Sequence, residues 1–164
     1  ALAWAASEPA SSPPASGARA ATLLALALGA ITVALGALMA GFHAGLVCAT
    51  FPKMNGAWAP PLRASAWDAM TIHFLHRLFA VLVTLAALVV SAMLWGSSRA
   101  ARALALSVSL QLVLGALVVL RHVPPALAVV HQANGALVIL LLASLARRVV
   151  HDVSHGAAPN VAAP

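Results

Sequence analysis

Charge is scarce in this sequence. Of 164 residues only 7% are charged, nine Lys or Arg against three Asp or Glu, where a soluble domain carries about a quarter. So few cannot cover a water-facing surface, which excludes an ordinary soluble enzyme. With 63% apolar residues and a mean hydropathy of +1.00, a disordered tail is excluded as well. Cysteine is nearly lacking: Cys48 stands alone, so no internal disulfide forms and a disulfide scaffold is ruled out. The formal charge of +6 does not point to nucleic acid, because the basic residues are scattered at the edges of apolar runs and form no patch. No Gly-rich phosphate loop is present. What remains is an integral membrane protein with a positive fringe.

The opening ALAWAASEP lacks the basic n-region of a signal peptide. ALAW reads as the tail of an earlier apolar segment, and the expectation is that residues 1–19 form a linker after a missing N-terminal half. Residues 7–19, rich in Pro, Ser and Ala, have no packing potential of their own. Four apolar runs follow: Ala20–Leu46, about Ala69–Trp95, about Ala103–Leu120 and about Ala126–Ala146. At about 1.5 Å of rise per residue each is long enough to cross a hydrocarbon layer of roughly 30 Å. The fold class is therefore an all-α integral membrane protein, a four-transmembrane-helix up-down bundle over residues 20–148. Residues 149–164 are expected to be a disordered tail.

Between the first two runs, VCATFPKMNGAWAPPLRASAWD reads as an ordered loop lying on the bilayer, with Trp58 and Trp67 at headgroup level and Asp68 as N-cap of the second helix. GSSRAAR and RHVPP are the other turns. Arg19, Arg99, Arg102, Arg147 and Arg148 fall on one side, and Lys53, Arg63 and Arg121 on the other. The positive-inside rule then places both termini in the cytoplasm.

Ionisable residues inside a membrane are costly and mark function. Among the seven histidines, His151 and His155 lie in the tail. The other five, His43, His73, His76, His122 and His131, all fall near the outer helix ends, and none is at the inner ends. The second and fourth helices run in the same direction and are diagonal partners in an up-down bundle, about 14 Å apart. His76 and His131 lie on them at matched depth, a gap that suits two inward imidazoles with a metalloporphyrin between them. Gly135 and Ala80, one turn below each histidine, leave room for a flat macrocycle. Arg77 can pair with a haem propionate, or it can snorkel to the headgroups. His73 is a rival ligand; His43 and His122 read as interfacial or supporting residues. Cys48 reads as a small apolar loop residue, and Gly41 and Gly45 as a G-x-x-x-G packing motif. With no Cys-x-x-Cys-His run, no thioether-linked haem is expected. No carboxylate sits within a span, so the membrane region offers no general base.

Three segments, in order and spacing, resemble the C-terminal four-helix half of the haem A synthase family of cytochrome oxidase assembly proteins. Residues 41–61, GFHAGLVCATFPKMNGAWAPP, are similar to its A-G-L-x-A-G-x-x-x-N-T-F-P-x-M-x-G-x-W-x-P signature. Residues 71–77, TIHFLHR, are similar to T-x-Q-F-x-H-R. Residues 123–136, VPPALAVVHQANGA, are similar to V-P-x-x-L-A-x-x-H-Q, and Gln111 and Gly115 fit a preceding Q-x-x-L-G. His73 departs from the expected Gln, and Cys48 and Ala49 from an aromatic-Asn pair.

The resemblance implies half of an eight-helix pseudo-symmetric membrane protein. Its activity is the oxidation of a haem O methyl group to the formyl group of haem A. It implies a haem b cofactor whose iron is held by His76 and His131, with Arg77 beside it. The haem O substrate would be handled by the missing half, which supplies the catalytic glutamate. Expected partners are the lipid bilayer, a second copy of the chain in a homo-oligomer and haem O synthase, in the cell inner (plasma) membrane. The rival reading is a four-helix b-type cytochrome subunit in respiratory electron transfer. Two haems usually need four histidines at two depths, and the inner depth has none.

Overall fold

A computed structural model describes residues 16–60 and 68–156; Arg63, Trp67 and the last eight residues lie outside them, as do the side chains of residues 152–156. Among the described residues there are four α-helices: α1 (Ser16–Gly41), α2 (Ala69–Met93), α3 (Arg99–Leu120) and α4 (Pro125–Gly156). All four are long and apolar enough to span a membrane, α4 over Pro125–His151. The expected all-α membrane bundle is what forms. In hydrocarbon a spanning helix satisfies its own backbone. The few hydroxyls inside the spans do the same locally: Thr22, Thr32, Thr84, Ser91 and Ser109 each donate to the carbonyl four residues back.

The helix boundaries differ from the sequence expectation in four places, each for a local reason. α1 starts within the predicted linker, at Ser16, and Ala18 is buried there against the other helices. It stops at Gly41 rather than Leu46, because His43 takes a left-handed backbone (φ 50) before a short 3₁₀ turn over Ala44–Leu46. α3 takes in the arginines of the predicted turn, since Ser98 caps it by accepting from the Ala101 N–H. α4 begins with Pro125 at its first position, where a missing N–H costs nothing. It continues past Arg148 to Gly156, because nothing in Val149–His155 breaks a helix. Asp68 caps α2 as expected, its carboxylate accepting from the Thr71 N–H at 3.2 Å.

Each helix packs on its sequence neighbours, and α1 closes the ring against α4. α2 and α4 are therefore diagonal. The two ends of the bundle are unlike. At one end lie Arg19, Arg99, Arg102 and Arg148, with the Arg148 guanidinium donating to Ser98 Oγ at 3.2 Å. This is the arginine end; the opposite one, where α1 runs into residues 42–60, is the loop end. The contiguous apolar cluster fills the arginine half: Ala18 and Ala25 of α1, Val83, Ala87 and Val90 of α2, Leu104 and Val108 of α3, and Val138, Leu142 and Leu145 of α4. Gly29 marks the closest approach there, because a Cβ on it would fall 2.7 Å from Ile139. Outward-facing Leu106 and Leu140, 74% and 67% exposed, present the apolar surface that a bilayer covers. The contiguous core thus sits away from the five histidines of the sequence reading, and in the loop half buried apolar residues such as Ile72, Leu114 and Val119 stand apart from it.

Candidate cofactor site in the loop half

His76 projects from α2 toward Gly36 of α1, and His131 projects from α4 toward Gly115 of α3. A Cβ on Gly36 would lie 3.4 Å from His76 Cε1; one on Gly115 would lie 3.1 Å from His131 Cε1. In each case Cε1 is the nearest ring atom and Nδ1 the next. The two imidazoles thus lean on the preceding helix in the same way. The sequence carries this as a repeat that composition alone does not reveal: Leu-Gly-Ala-Leu occurs at residues 35–38 and again at 114–117. Nδ1 of both rings is buried with no hydrogen-bond partner, and the rings are close enough to interact electrostatically.

Gly135, inferred to leave room beneath His131, plays a different part. The space over Gly135 is taken by the Gln111 amide, whose Nε2 lies 3.0 Å from where a Cβ would be. Gln111 Nε2 approaches His131 Nε2 at 3.4 Å. Asn134 Nδ2 donates to Gln111 Oε1 at 2.7 Å and to the Ser107 carbonyl at 2.9 Å. Asn134 went unremarked in the sequence, although an amide one turn from a membrane histidine was a usable signal.

His73 is not offered as a ligand. It is fully buried, and its Nε2 accepts from Arg77 Nε at 2.9 Å, an i, i+4 pair on one face of α2. Arg77 does not snorkel outward. Its Nη2 donates to the Cys48 carbonyl at 3.4 Å and its guanidinium lies 5.9 Å from the Phe51 ring centre. Nη1 is buried and unpartnered. Arg77 thus ties the loop to α2 and keeps one N–H group for an acceptor.

Cys48, read as a small apolar loop residue, is 1% exposed, with Sγ 3.4 Å from Thr50 Oγ1 and 3.5 Å from Asn55 Oδ1. Burial pushes its thiol up, but the Thr50 side chain and backbone, the Arg77 charge and Asn55 pull further the other way, and the net displacement is below the usual thiol value. His43 and His122 are exposed at connectors with left-handed backbone (φ 50 and 59) and join nothing in the bundle. His151 is exposed on α4. Trp58 is exposed with Lys53 5.5 Å from its ring. Among the described residues no three His, Cys, Asp or Glu side chains converge on one point, so a caged ion does not fit. Two imidazoles on diagonal helices are the donor set that a haem iron takes.

The family model described as COX15-CtaA, cytochrome oxidase assembly protein, matches residues 1–143. The chain belongs to this family. It is 35% identical over 125 residues to the heme A synthase of Neorickettsia sennetsu, covering 70% of this chain and 38% of that protein. It is 37% identical over 147 residues to that of Granulibacter bethesdensis, covering 84% and 39%, and 32% identical over 151 residues to that of Methylorubrum extorquens, covering 82% and 39%. The chain thus spans under two fifths of the length of these relatives. No solved structure matches it.

Proposed function

We propose that this chain is the haem b-binding half of a haem A synthase, an oxidoreductase that converts a methyl group of haem O to a formyl group. One observation carries the reading. His76 and His131, on diagonal helices, each rest on a glycine of the preceding helix, in the half of the bundle that lacks the apolar cluster. Haem b bound there would supply reversible one-electron transfer. His76 and His131 would hold its iron, so the site suits relay more than attack on substrate. Arg77 would pair its free Nη1 with a propionate, while its Nε and Nη2 hold His73 and the loop in place. No glutamate or aspartate lies within the four spans, so the proton acceptor and the haem O pocket belong to a second half or a second copy. Haem O synthase, as the source of that substrate, is the proposed delivering partner.

The test is the purified chain itself. Expressed with haem available, it should hold one haem b per chain and show the sharp reduced α-band of low-spin, six-coordinate iron. Protein free of haem would overturn the reading; two haems per chain would favour a b-type cytochrome.

The glycines give a graded prediction. Gly115→Ala forces His131 to shift by a few tenths of an ångström, and overpacking of that kind costs about 1–3 kcal/mol. Haem affinity, measured by titrating the haem-free protein, should fall about tenfold. Gly36→Ala, where the added carbon meets ordinary contact distance, should stay within about threefold. Equal losses from both would show that the imidazoles do not lean on these glycines.

We also place the arginine end in the cytoplasm and the loop end outside, with both termini cytoplasmic in the cell's plasma membrane. A C-terminal alkaline phosphatase fusion, active only outside the cytoplasm, should be silent after Arg148; strong activity there would invert the orientation. Because Cys48 is buried, an impermeant thiol reagent on intact cells should label it slowly.

A further inference from the structure

We propose that Asn134 and Gln111 act as a pair of positioning residues that fix the tautomer of His131, leaving the lone pair on Nε2. The inference rests on the reading of His131 as an iron ligand. Its polarity follows from one atom. The Ser107 carbonyl can only accept, so the Asn134 atom 2.9 Å from it must be the amide nitrogen. The same nitrogen lies 2.7 Å from one end of the Gln111 amide, so that end must be the oxygen. The other end, which faces His131 Nε2 at 3.4 Å, is then an NH₂ group that can only donate. Facing a donor, His131 Nε2 carries the lone pair and the ring proton sits on Nδ1. A backbone carbonyl of α3 thereby sets, through two amides, which nitrogen of a histidine on α4 is free to coordinate a metal.

The surroundings make the arrangement necessary. Amides within a span carry a desolvation cost unless paired, and here each supports the next. Gly135 is what admits the Gln111 amide, since a side chain at that position would press on it from 3.0 Å. The contact to His131 is long for a hydrogen bond, so it biases the ring without competing strongly for the lone pair. His76 meets a main-chain group instead of a side-chain amide: Thr32, one turn before the cradle glycine, presents its backbone to the ring while its hydroxyl is spent on the Leu28 carbonyl. The two proposed ligands therefore differ in how they are prepared.

The test reads the tautomer directly. The full chain, haem-free in detergent micelles, is labelled with ¹⁵N-histidine, and the His131 ring signals are assigned by their loss in His131→Ala. Wild type should show a single form, protonated at Nδ1 with a bare Nε2. Gln111→Met, apolar and close in shape, removes the donor and should bring the Nδ1–H form from nearly all of the population toward roughly half, since neither nitrogen is then favoured. Asn134→Leu frees the Gln111 amide to turn over and should give the same mixture. Unchanged helix content and melting temperature would show that both variants fold. A His131 signal identical to wild type in both variants overturns the proposal. So does a wild type protonated at Nε2. Haem titration of the wild type separates the two readings: the expected tautomer in a chain that takes up no haem refutes the cofactor assignment and leaves the amide pair standing, whereas haem uptake with an unresponsive tautomer refutes the pair alone.

Discussion

Alanine at either His76 or His131 is expected to abolish the reduced α-band and to lower the ratio of haem to protein at least about tenfold. Loss of a supporting residue around a metal costs ten- to a hundredfold in affinity, and loss of a ligand costs more. The two changes should be equivalent despite lying 55 positions apart, because each removes one of two axial imidazoles from the same group. They are also unlikely partners for compensation: among the described residues the only other histidine buried in the bundle is His73, and its Nε2 is committed to Arg77. His73→Ala should therefore keep the band. Its effect should instead be on Arg77, which loses the acceptor for Nε and with it part of its hold on the Cys48 segment, so the loop should become more accessible to thiol reagents. His151→Ala, on the exposed end of α4, should change neither. Retention of a normal spectrum in His76→Ala or His131→Ala would sink the assignment, and a spectrum lost in His73→Ala with both others intact would move the ligand to that position.

What could be read from the chain alone followed from strong, one-dimensional signals. Runs of more than twenty apolar residues gave four spans and an all-α bundle, and the alternation of helix direction put His76 and His131 at one depth on diagonal helices. Asp68 before Ala69 announced a cap. The boundaries were less legible because caps are set by single side chains: Ser98 draws Arg99 and Arg102 into α3, and the left-handed backbone at His43 ends α1 early. The two proposed ligands stood out in the sequence, but the walls around them did not. Helical spacing pairs a histidine with residues on its own helix, so Gly135 and Ala80 stood out, whereas the glycines that touch the imidazoles, Gly36 and Gly115, come from neighbouring helices. Periodicity cannot see across an interface. Arg77 stood out in the sequence as a buried arginine, yet its bonds to His73 and to the Cys48 carbonyl join residues four and twenty-nine apart, and the second of these no local rule could supply.

Supplied with haem O, the chain on its own should yield no haem A, and joining it to a matching N-terminal half should restore the product. Oxidation of a porphyrin methyl group to a formyl group removes electrons and protons from a weakly acidic carbon, so it needs an electron acceptor, a proton acceptor and a place to hold a second macrocycle. On the proposed reading the loop half would offer the first through a haem held by His76 and His131. It does not offer the second: of the three carboxylates, Asp68 and Asp152 lie outside the described spans and Glu8 lies outside the described residues. At the arginine end, among the described residues, His151 is exposed and Val83, Leu104, Leu142 and Leu145 close the bundle into an apolar core, leaving no second cofactor site between the helices there. Haem extraction and chromatography after expression with haem O should therefore show substrate unchanged for the chain alone, product on co-expression with the other half, and a fall of at least about tenfold when that pair carries His76→Ala. The His76→Ala result is what makes the experiment specific, since a merely structural contribution from this bundle would survive loss of one imidazole. Haem A formed by the isolated chain would refute the division of labour. It would require one copy to bind substrate while its partner holds the cofactor, and activity would then rise with the square of chain concentration at low expression.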